Sequence, residues 1–265
     1  MSLEKTSFNT TNMNSIKLVT CTFLLLCVTA LPAQKDYKAS MFGIKSDGKT
    51  LNTGSIQKAI DYISENGGGR LVFYVGRYLT GTVYLKSNVI IQLEEGVGIM
   101  ASTVPYDYNI GNNPALFVAK DQQNVGITGK GLIEGQGALI NANIDEQGAK
   151  GNLPAGLKTF RPALVYFENC TNITQSEIML LNAGGDAQVL TNCHQTNITN
   201  ITVKSKVASS TKGFVLTGCS GFQLNDSFVD VSSSALITKG AASKGIQIKN
   251  SITADGKKIQ AKSGT

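Results

Sequence analysis

The sequence predicts an all-β solenoid, in which similar coils of three short strands are stacked on one another. Strand-like segments recur at intervals of about 24 residues, and the turns between them are rich in Gly, Asn and Asp. Composition agrees, because 28 of the 265 residues are Gly, 42% are hydrophobic and 16% are charged. The charged fraction lies below the roughly 25% of typical soluble domains. These values exclude a disordered chain and a charge-rich helical bundle.

The first 33 residues have the layout of a secretion signal. An apolar run, Leu18–Ala30, follows Lys17 and leads into a small-residue stretch that ends near Ala33. The run is too short for a transmembrane helix. We therefore predict that residues 1–33 are a cleaved signal, that residues 34–265 form one solenoid domain without a membrane span, and that the protein is secreted or periplasmic.

One amphipathic helix is predicted at the start of the domain, over Thr53–Asn66. Its apolar residues recur at three- and four-residue spacing and are Ile56, Ala59, Ile60 and Ile63. Gly67–Gly69 ends the helix, and Leu71–Val75 begins the long series of strand-like runs.

The repeat itself is clearest in the second half of the chain. Equivalent apolar positions are spaced 25, 24 and 24 residues apart and are Ile173, Ile198, Phe222 and Ile246. Two further strand-like segments follow within each period, and Asn or Asp stands at the corners, where its side chain tolerates left-handed backbone. Each coil buries its apolar face only against its neighbours, so ladders of similar side chains are expected along the axis.

Three cysteines follow the predicted signal: Cys170, Cys193 and Cys219. Because they recur at one position of the repeat, we expect a ladder of buried thiols rather than redox or metal chemistry. The single histidine, His194, is expected to be structural. With so few potential ligands, neither a metal site nor a cofactor is predicted.

Asn-x-Ser/Thr patterns of the repeat region include those at Asn172, Asn197, Asn200 and Asn225. They coincide with the repeat, so we interpret them as corner residues of the coils rather than as glycosylation sites. The net charge of +6 is spread over isolated Lys and Arg residues, which argues against a nucleic-acid partner.

Several motifs, in order from Phe42 onwards, resemble the polygalacturonases and related pectin hydrolases of glycoside hydrolase family 28. The motifs are Phe42–Gly48, Gly67–Phe73, Gly76–Thr82, Leu85–Val89, Gly129–Gly137 and Arg161–Phe167. The resemblance implies a right-handed parallel β-helix, capped by the short N-terminal helix, with a substrate groove along one face. It also implies inverting hydrolysis, in which one carboxylic acid protonates the glycosidic oxygen and other carboxylates activate water.

The three catalytic aspartates of that family map onto residues of other types in this chain. The first maps onto Lys212 in Ser210–Gly213, and the adjacent pair maps onto Ser233 and Ser234, with the downstream lysine retained as Lys239. A serine hydroxyl cannot hold a transferable proton near neutral pH, and a lysine has the wrong charge for the transition state. We therefore assign no catalytic residue and predict that the protein is catalytically degenerate.

Lys212, Lys239 and Asp186 are instead the predicted substrate-binding residues. Asp186 lies in Asn182–Gln188, where relatives carry an aromatic residue. The expected partner is an acidic plant-type polysaccharide or oligosaccharide, held by lysines without opposing carboxylates. The resemblance also leads us to expect a C-terminal truncation, or another chain that covers the last coil.

Two other hypotheses remain open at this stage. In the second hypothesis the protein is an active hydrolase that uses displaced carboxylates, and Asp186 and Asp230 are the candidate pair. If the protein is not a hydrolase, we expect Asp226 at a corner and Asp230 at an outward strand position, both solvated. The third hypothesis is a structural module or a truncated product without function.

Overall fold

A computed structural model describes residues 34–108, 113–154, 159–240 and 242–264, so the predicted signal lies outside the described residues. Residues 35–265 form one compact unit built almost entirely from short strands. The strands are β1 (Asp36–Lys38), β2 (Asp47–Leu51), β3 (Gly69–Phe73), β4 (Gly76–Thr80), β5 (Val83–Tyr84), β6 (Val89–Leu93), β7 (Val97–Ala101), β8 (Ala115–Lys120), β9 (Gln123–Gly129), β10 (Leu132–Glu134), β11 (Ala163–Glu168), β12 (Thr171–Ser176), β13 (Met179–Leu181), β14 (Gln188–Thr191), β15 (His194–Thr199), β16 (Thr202–Ser205), β17 (Phe214–Thr217), β18 (Ser220–Asn225), β19 (Phe228–Val231), β20 (Leu236–Thr238), β21 (Gln247–Lys249), β22 (Ile252–Thr253) and β23 (Lys262–Ser263).

The strands form three parallel sheets, each receiving one strand from successive coils. Sheet A has the order β1-β3-β6-β9-β12-β15-β18-β21, sheet B has the order β2-β4-β7-β10-β13-β16-β19-β22, and sheet C runs from β5 to β23 as β5-β8-β11-β14-β17-β20-β23. The chain visits the sheets in the order A, B, C in each coil. This is the predicted right-handed parallel β-helix, and its handedness follows the general rule for parallel crossovers.

Inward-facing residues form ladders along the axis. In sheet A the paired positions are Leu71, Ile91, Ile127, Gln175, Ile198, Leu224 and Ile248. In sheet C they are Val83, Phe117, Val165, Gln188, Phe214 and Leu236. The ladders are apolar except for the two glutamines, which belong to the same coil. Each fully buried aliphatic or aromatic side chain stabilises the stack by about 1.5–3 kcal/mol.

The corners between strands depend on residues with left-handed backbone. Asn88, Asn124 and Asn172 have φ values of 65°, 55° and 57°. The side-chain amide of Asn124 donates to Asn88 Oδ1 and that of Asn172 donates to Asn124 Oδ1, both at 2.7 Å. This confirms the predicted role for Asn172, and Asn200 also lies at a left-handed corner. The prediction is wrong for Asn197, which lies exposed within β15 because the strand extends through the middle of that pattern.

Within the described ranges, two α-helices accompany the solenoid. Helix α1 (Thr53–Glu65) buries the four predicted apolar residues and packs against β3 and β5, as expected for an N-terminal cap. Helix α2 (Gly137–Ala149) was not predicted, and it buries Ile140 and Ile144 on one side. None of the helices in the described ranges is both long and apolar enough to cross a membrane.

The three cysteines form the expected ladder. Cys170, Cys193 and Cys219 are buried and not in disulfides, and each sulfur lies within 3.4 Å of a backbone carbonyl oxygen. His194 is exposed at the start of β15, where its Nδ1 lies 2.7 Å from Ser220 Oγ.

The last coil departs from the regular path. After β22 the chain turns at Asp255–Gly256, with Gly256 at φ 76°, and returns antiparallel to β22. Thr253 N–H donates to the Lys257 carbonyl and Ile259 N–H to the Ser251 carbonyl, both at 2.9 Å. This C-terminal hairpin, residues 253–259, occupies the outer edge of sheet B, and the chain then rejoins sheet C as β23.

Candidate functional site

The predicted site residues lie mainly in the connections that lead from sheet B to sheet C. Four consecutive connections, residues 182–187, 206–213, 232–235 and 254–261, are called the BC connections below. The first three are stacked through backbone hydrogen bonds: Ala187 N–H donates to Lys212, Gly213 N–H to Ser234 and Ser233 N–H to Thr211, at 2.9–3.0 Å. Polar side chains from successive coils therefore become neighbours on one edge of the solenoid.

Asp186 and Lys212 lie together, whereas the lysines were expected to have no opposing carboxylate. Asp186 Oδ1 accepts the backbone N–H of Lys212 at 2.9 Å and lies 3.7 Å from Lys212 Nζ. The tight path of the first connection depends on Gly185, since a Cβ there would lie 2.4 Å from the Arg161 carbonyl oxygen. Lys212 Nζ also donates to the Ser210 carbonyl at 3.1 Å, so the positive charge of Lys212 is already partly matched within the protein.

Lys239 does not join this pair. It follows β20, level with Thr217, and its N–H donates to the Leu216 carbonyl at 2.8 Å, whereas Lys212 precedes β17. At about 3.3 Å per residue the two backbone positions are roughly 16 Å apart along the strand direction. Lys239 belongs to a row across sheet C that also contains Thr217, Thr191, Glu168 and Lys120. Within the described ranges it makes no ion pair.

Ser233 and Ser234 line a cavity of about 630 Å³, which opens between the third and fourth BC connections. One side consists of residues from β19 and the third connection, and the other consists of the C-terminal hairpin and the chain that follows it. The polar lining residues are Asp230, Ser233, Ser234, Thr253, Asp255, Lys257, Lys258, Gln260 and Lys262. Its volume lies within the range of small-ligand sites.

Both carboxylates in this cavity are engaged by lysines. Asp230 Oδ1 lies 2.6 Å from Lys206 Nζ, and Asp255 Oδ2 lies 2.6 Å from Lys257 Nζ. Hydrogen bonds from Lys257 and Thr253 lower the pKa of Asp255 to about 2. Asp255 is therefore ionised at neutral pH, when a general acid must carry a proton. Lys258 and Lys262 are exposed and, among the described residues, form no ion pair.

The other acids considered from sequence lie where they were expected. Asp226 occupies a left-handed corner at φ 51° and accepts a hydrogen bond from Asn250. Asp230 is an outward residue of β19. No group of three or more His, Cys, Asp or Glu side chains in the described part of the chain is arranged to hold a metal ion.

The family model of glycosyl hydrolases family 28 matches residues 75–260, which include the first three BC connections and all but the last residue of the fourth. The chain belongs to this family. An exo-poly-alpha-D-galacturonosidase of Dickeya chrysanthemi is 31% identical over 155 residues, which are 52% of this chain and 24% of that enzyme. The chain therefore spans about a quarter of the length of that family relative.

Solved family structures agree with the fold. A crystal structure of a Parabacteroides merdae protein assigned to the glycosyl hydrolases has a TM-score of 0.79 and 42% identity, and the match covers 85% of this chain and 99% of that one. A family 28 exopolygalacturonase of Yersinia enterocolitica has a TM-score of 0.76 at 20% identity, with 83% and 49% of the two chains covered. The second likeness shows the fold alone.

Sequence reasoning missed Lys206, Asp255, Lys258 and Lys262 as residues near the candidate site. A signal was present for the hairpin, because Asp-Gly between strand-like residues is a strong hairpin signature, and Gly256 takes the left-handed position of such a loop. No sequence pattern identified Lys206 as the ion-pair partner of Asp230, because the two residues are 24 positions apart and meet only through the stacking of coils.

Proposed function

We propose that this family 28 protein is exported, binds an acidic polysaccharide of the polygalacturonate type along the BC connections, and does not hydrolyse it. The observation that carries the proposal is the cavity beside Ser233 and Ser234, which combines hydroxyl groups with lysine side chains. Family membership supplies the ligand class, because the relative of Dickeya chrysanthemi is named as an exo-poly-alpha-D-galacturonosidase.

The charges around the cavity support binding without cleavage. Lys258 and Lys262 offer ammonium groups that can form charge-assisted hydrogen bonds with uronate carboxylates. Asp230 and Asp255 face lysines instead of each other, and an adjacent ammonium favours the ionised form of a carboxylate. Inverting hydrolysis needs one protonated and one ionised carboxylate across the scissile bond.

Affinity electrophoresis tests the binding. Wild-type protein is expected to be retarded in a native gel that contains polygalacturonate, and the retardation should weaken as salt is added, because ions screen exposed charges. Lys212→Glu should reduce the retardation, while Lys249→Glu on sheet A, with the same charge change, should not. Wild-type mobility that is unaffected by the polymer would refute the proposal.

One observation favours the hydrolase alternative: Asp230 and Asp255 both line the cavity. Incubation with polygalacturonate and rhamnogalacturonan, followed by measurement of new reducing ends, separates the two functions. The binding proposal expects no rate above the buffer control. A rate that is lost in both Asp230→Asn and Asp255→Asn, but kept in Asp226→Asn, would establish hydrolysis by displaced carboxylates.

Export is proposed from the apolar run and its flanking residues. Expression of the full chain in a bacterial host, followed by fractionation and N-terminal sequencing, is expected to give extracytoplasmic protein that begins near Gln34. Full-length protein confined to the cytoplasm would contradict export.

A further inference from the structure

We propose that the ladder of Cys170, Cys193 and Cys219 is a site of disulfide formation, in which Cys193 pairs with either of its two neighbours. One disulfide then joins two consecutive coils, and the third cysteine stays reduced. The ladder was predicted from sequence to serve packing, and the structure holds all three side chains as free thiols. The oxidised ladder is a second state of the same fold, and it does not depend on polysaccharide binding.

The backbone keeps the three cysteines in register. Cys170, Cys193 and Cys219 directly precede β12, β15 and β18, which are successive neighbours in sheet A. His194 N–H donates to the Cys170 carbonyl at 2.8 Å, and Ser220 N–H donates to the Cys193 carbonyl at 2.9 Å. Each cysteine follows a residue with left-handed backbone, at φ values of 52°, 50° and 64°. The same corner therefore places the three side chains at equivalent positions of successive coils.

The spacing of the coils decides which pairs can form a bond. Neighbouring strands lie about 4.8 Å apart, and a disulfide joins residues whose Cα atoms are roughly 4.4–6.8 Å apart. Cys193 is therefore within reach of Cys170 on one side and of Cys219 on the other. Cys170 and Cys219 are two coils apart, roughly 10 Å, which exceeds the limit of about 7 Å. Any disulfide within the folded ladder must include Cys193.

The sulfur atoms are directed along the axis towards the preceding coil. Cys193 Sγ lies 3.4 Å from the Phe167 carbonyl oxygen, in the coil of Cys170. Cys219 Sγ lies 3.4 Å from the Leu190 carbonyl oxygen, in the coil of Cys193. All three side chains are buried, so an oxidant reaches them during folding or through local opening. Cys219 is nearest the C-terminal end of the solenoid, and opening of the last coils exposes its sulfur first.

The ionisation of the thiols favours Cys219 as the first nucleophile. Hydrogen bonds with the thiols of Cys170 and Cys219 raise the pKa of Cys193, whereas the pKa of Cys219 is lowered to about 7. The Cys219 thiolate attacks an oxidant disulfide, such as oxidised glutathione, and releases one glutathione thiolate. Cys193 then loses its proton, its sulfur attacks the Cys219 sulfur, and the second glutathione thiolate leaves. The two cysteines lose two electrons and two protons, which the two glutathione molecules gain.

The third cysteine gives the disulfide a second position. In a ladder with a Cys193–Cys219 disulfide, the Cys170 thiolate can attack the Cys193 sulfur. A Cys170–Cys193 disulfide forms, and Cys219 leaves as a thiolate that takes up the proton lost by Cys170. This exchange consumes no oxidant, and one terminal cysteine of the ladder stays reduced in either position.

A count of free thiols tests the proposal. The full chain with Cys21→Ser and Cys27→Ser keeps only the ladder cysteines. It is refolded from urea in a buffer of reduced and oxidised glutathione, quenched with acid, and unfolded again with N-ethylmaleimide. Mass spectrometry is expected to find one alkylated cysteine per monomer and no bound glutathione, against three alkylated cysteines after refolding with a reductant. Three alkylated cysteines after oxidation would overturn the proposal.

Serine variants in this background test the shared role of Cys193. Cys193→Ser should keep both remaining thiols, because Cys170 and Cys219 do not reach each other in the folded chain. Cys170→Ser and Cys219→Ser are the matched controls, in which the remaining pair should form a disulfide and leave no thiol. Circular dichroism confirms the fold of each variant. A Cys170–Cys219 disulfide in folded, monomeric Cys193→Ser would overturn the proposal, as would two retained thiols in either folded control.

Discussion

The carboxylate of Asp186 accepts the backbone N–H of Lys212 from the next coil, at 2.9 Å. This bond joins two BC connections through a side chain and fixes the backbone that carries Lys212. The same carboxylate lies 3.7 Å from Lys212 Nζ. Asp186 therefore has two separable roles, as acceptor for the main chain and as counter-charge for the lysine.

Replacement of Asp186 separates these roles. Asp186→Ala should lower the free energy of unfolding by about 1 kcal/mol, because a part-buried N–H loses its acceptor. Asp186→Asn keeps an oxygen for that N–H and should lose less. Urea denaturation followed by circular dichroism measures both. Equal losses would show that the contact with the ammonium group, and not the backbone bond, stabilises the fold.

Carboxylates introduced at Ser233 and Ser234 should oppose binding of polygalacturonate. Ser233→Asp or Ser234→Asp places a negative charge in a cavity that is proposed to hold uronates, and we expect affinity to fall by about tenfold at low salt. Ser40→Asp, an exposed position at the other end of the solenoid, is the control with the same change of charge. Tighter binding in the cavity variants would indicate a ligand that is not acidic.

The cysteine ladder makes a prediction about ionisation. A hydrogen bond from Cys193 lowers the pKa of Cys219 to about 7. Cys193→Ala should raise that pKa towards the ordinary value of a thiol, whereas Cys170→Ala should leave it low. Thiolate absorbance in the ultraviolet, followed over pH, gives the pKa. The same titration in both variants would contradict the assignment.

The same shift has a consequence for stability. The folded-state pKa of Cys219 lies below the value of about 8.5 for an unfolded chain, so in this interval the Cys219 thiol binds fewer protons in the folded wild type than in its unfolded form. The free energy of unfolding of the wild type should therefore increase relative to that of Cys193→Ala as the pH rises from about 7 to 8.5. This additional contribution should be lost as the pH falls through the folded-state pKa of Cys219. Denaturation curves at several pH values measure the difference.

The regular part of the fold was predictable, because every coil needs apolar residues at its inward positions and a tight corner between strands, and these requirements recur in the sequence. Helix α1 was predictable from its four apolar residues for a similar reason. Helix α2 was not predicted because it has no clear amphipathic pattern. Its large buried apolar residues are Ile140 and Ile144, and Leu139 is exposed. Periodicity carries no information about such an insertion.

The site was predictable only where neighbouring coils keep the same register. Asp186 and Lys212, both predicted site residues, meet because they occupy adjacent connections of similar path, although no carboxylate was expected opposite Lys212. Lys239 was expected beside them, but its place at the far end of a sheet C strand separates it from Lys212. The cavity depends on the hairpin at Asp255–Gly256, an exception to the repeat.

Gln188 interrupts the inward ladder of sheet C between Val165 and Phe214. Its side chain is fully buried, and neither Oε1 nor Nε2 has a hydrogen-bond partner among the described residues. Burial of an unpaired polar group costs about 1–3 kcal/mol, whereas an apolar side chain of similar size avoids that cost. Gln188→Leu is therefore expected to raise the free energy of unfolding by about 1 kcal/mol.

Two further variants make this expectation specific. Leu190→Gln places the same amide at a neighbouring inward position of β14 and should destabilise the protein by at least as much as Gln188→Leu stabilises it. Gln175 faces inward from sheet A in the same coil, and its amide also has no hydrogen-bond partner in the part of the chain that the structure describes. Gln175→Leu combined with Gln188→Leu should give the sum of the single effects if the two amides act independently. A loss of stability in Gln188→Leu that is reversed in the double variant would instead show that the glutamines bond to each other across the core.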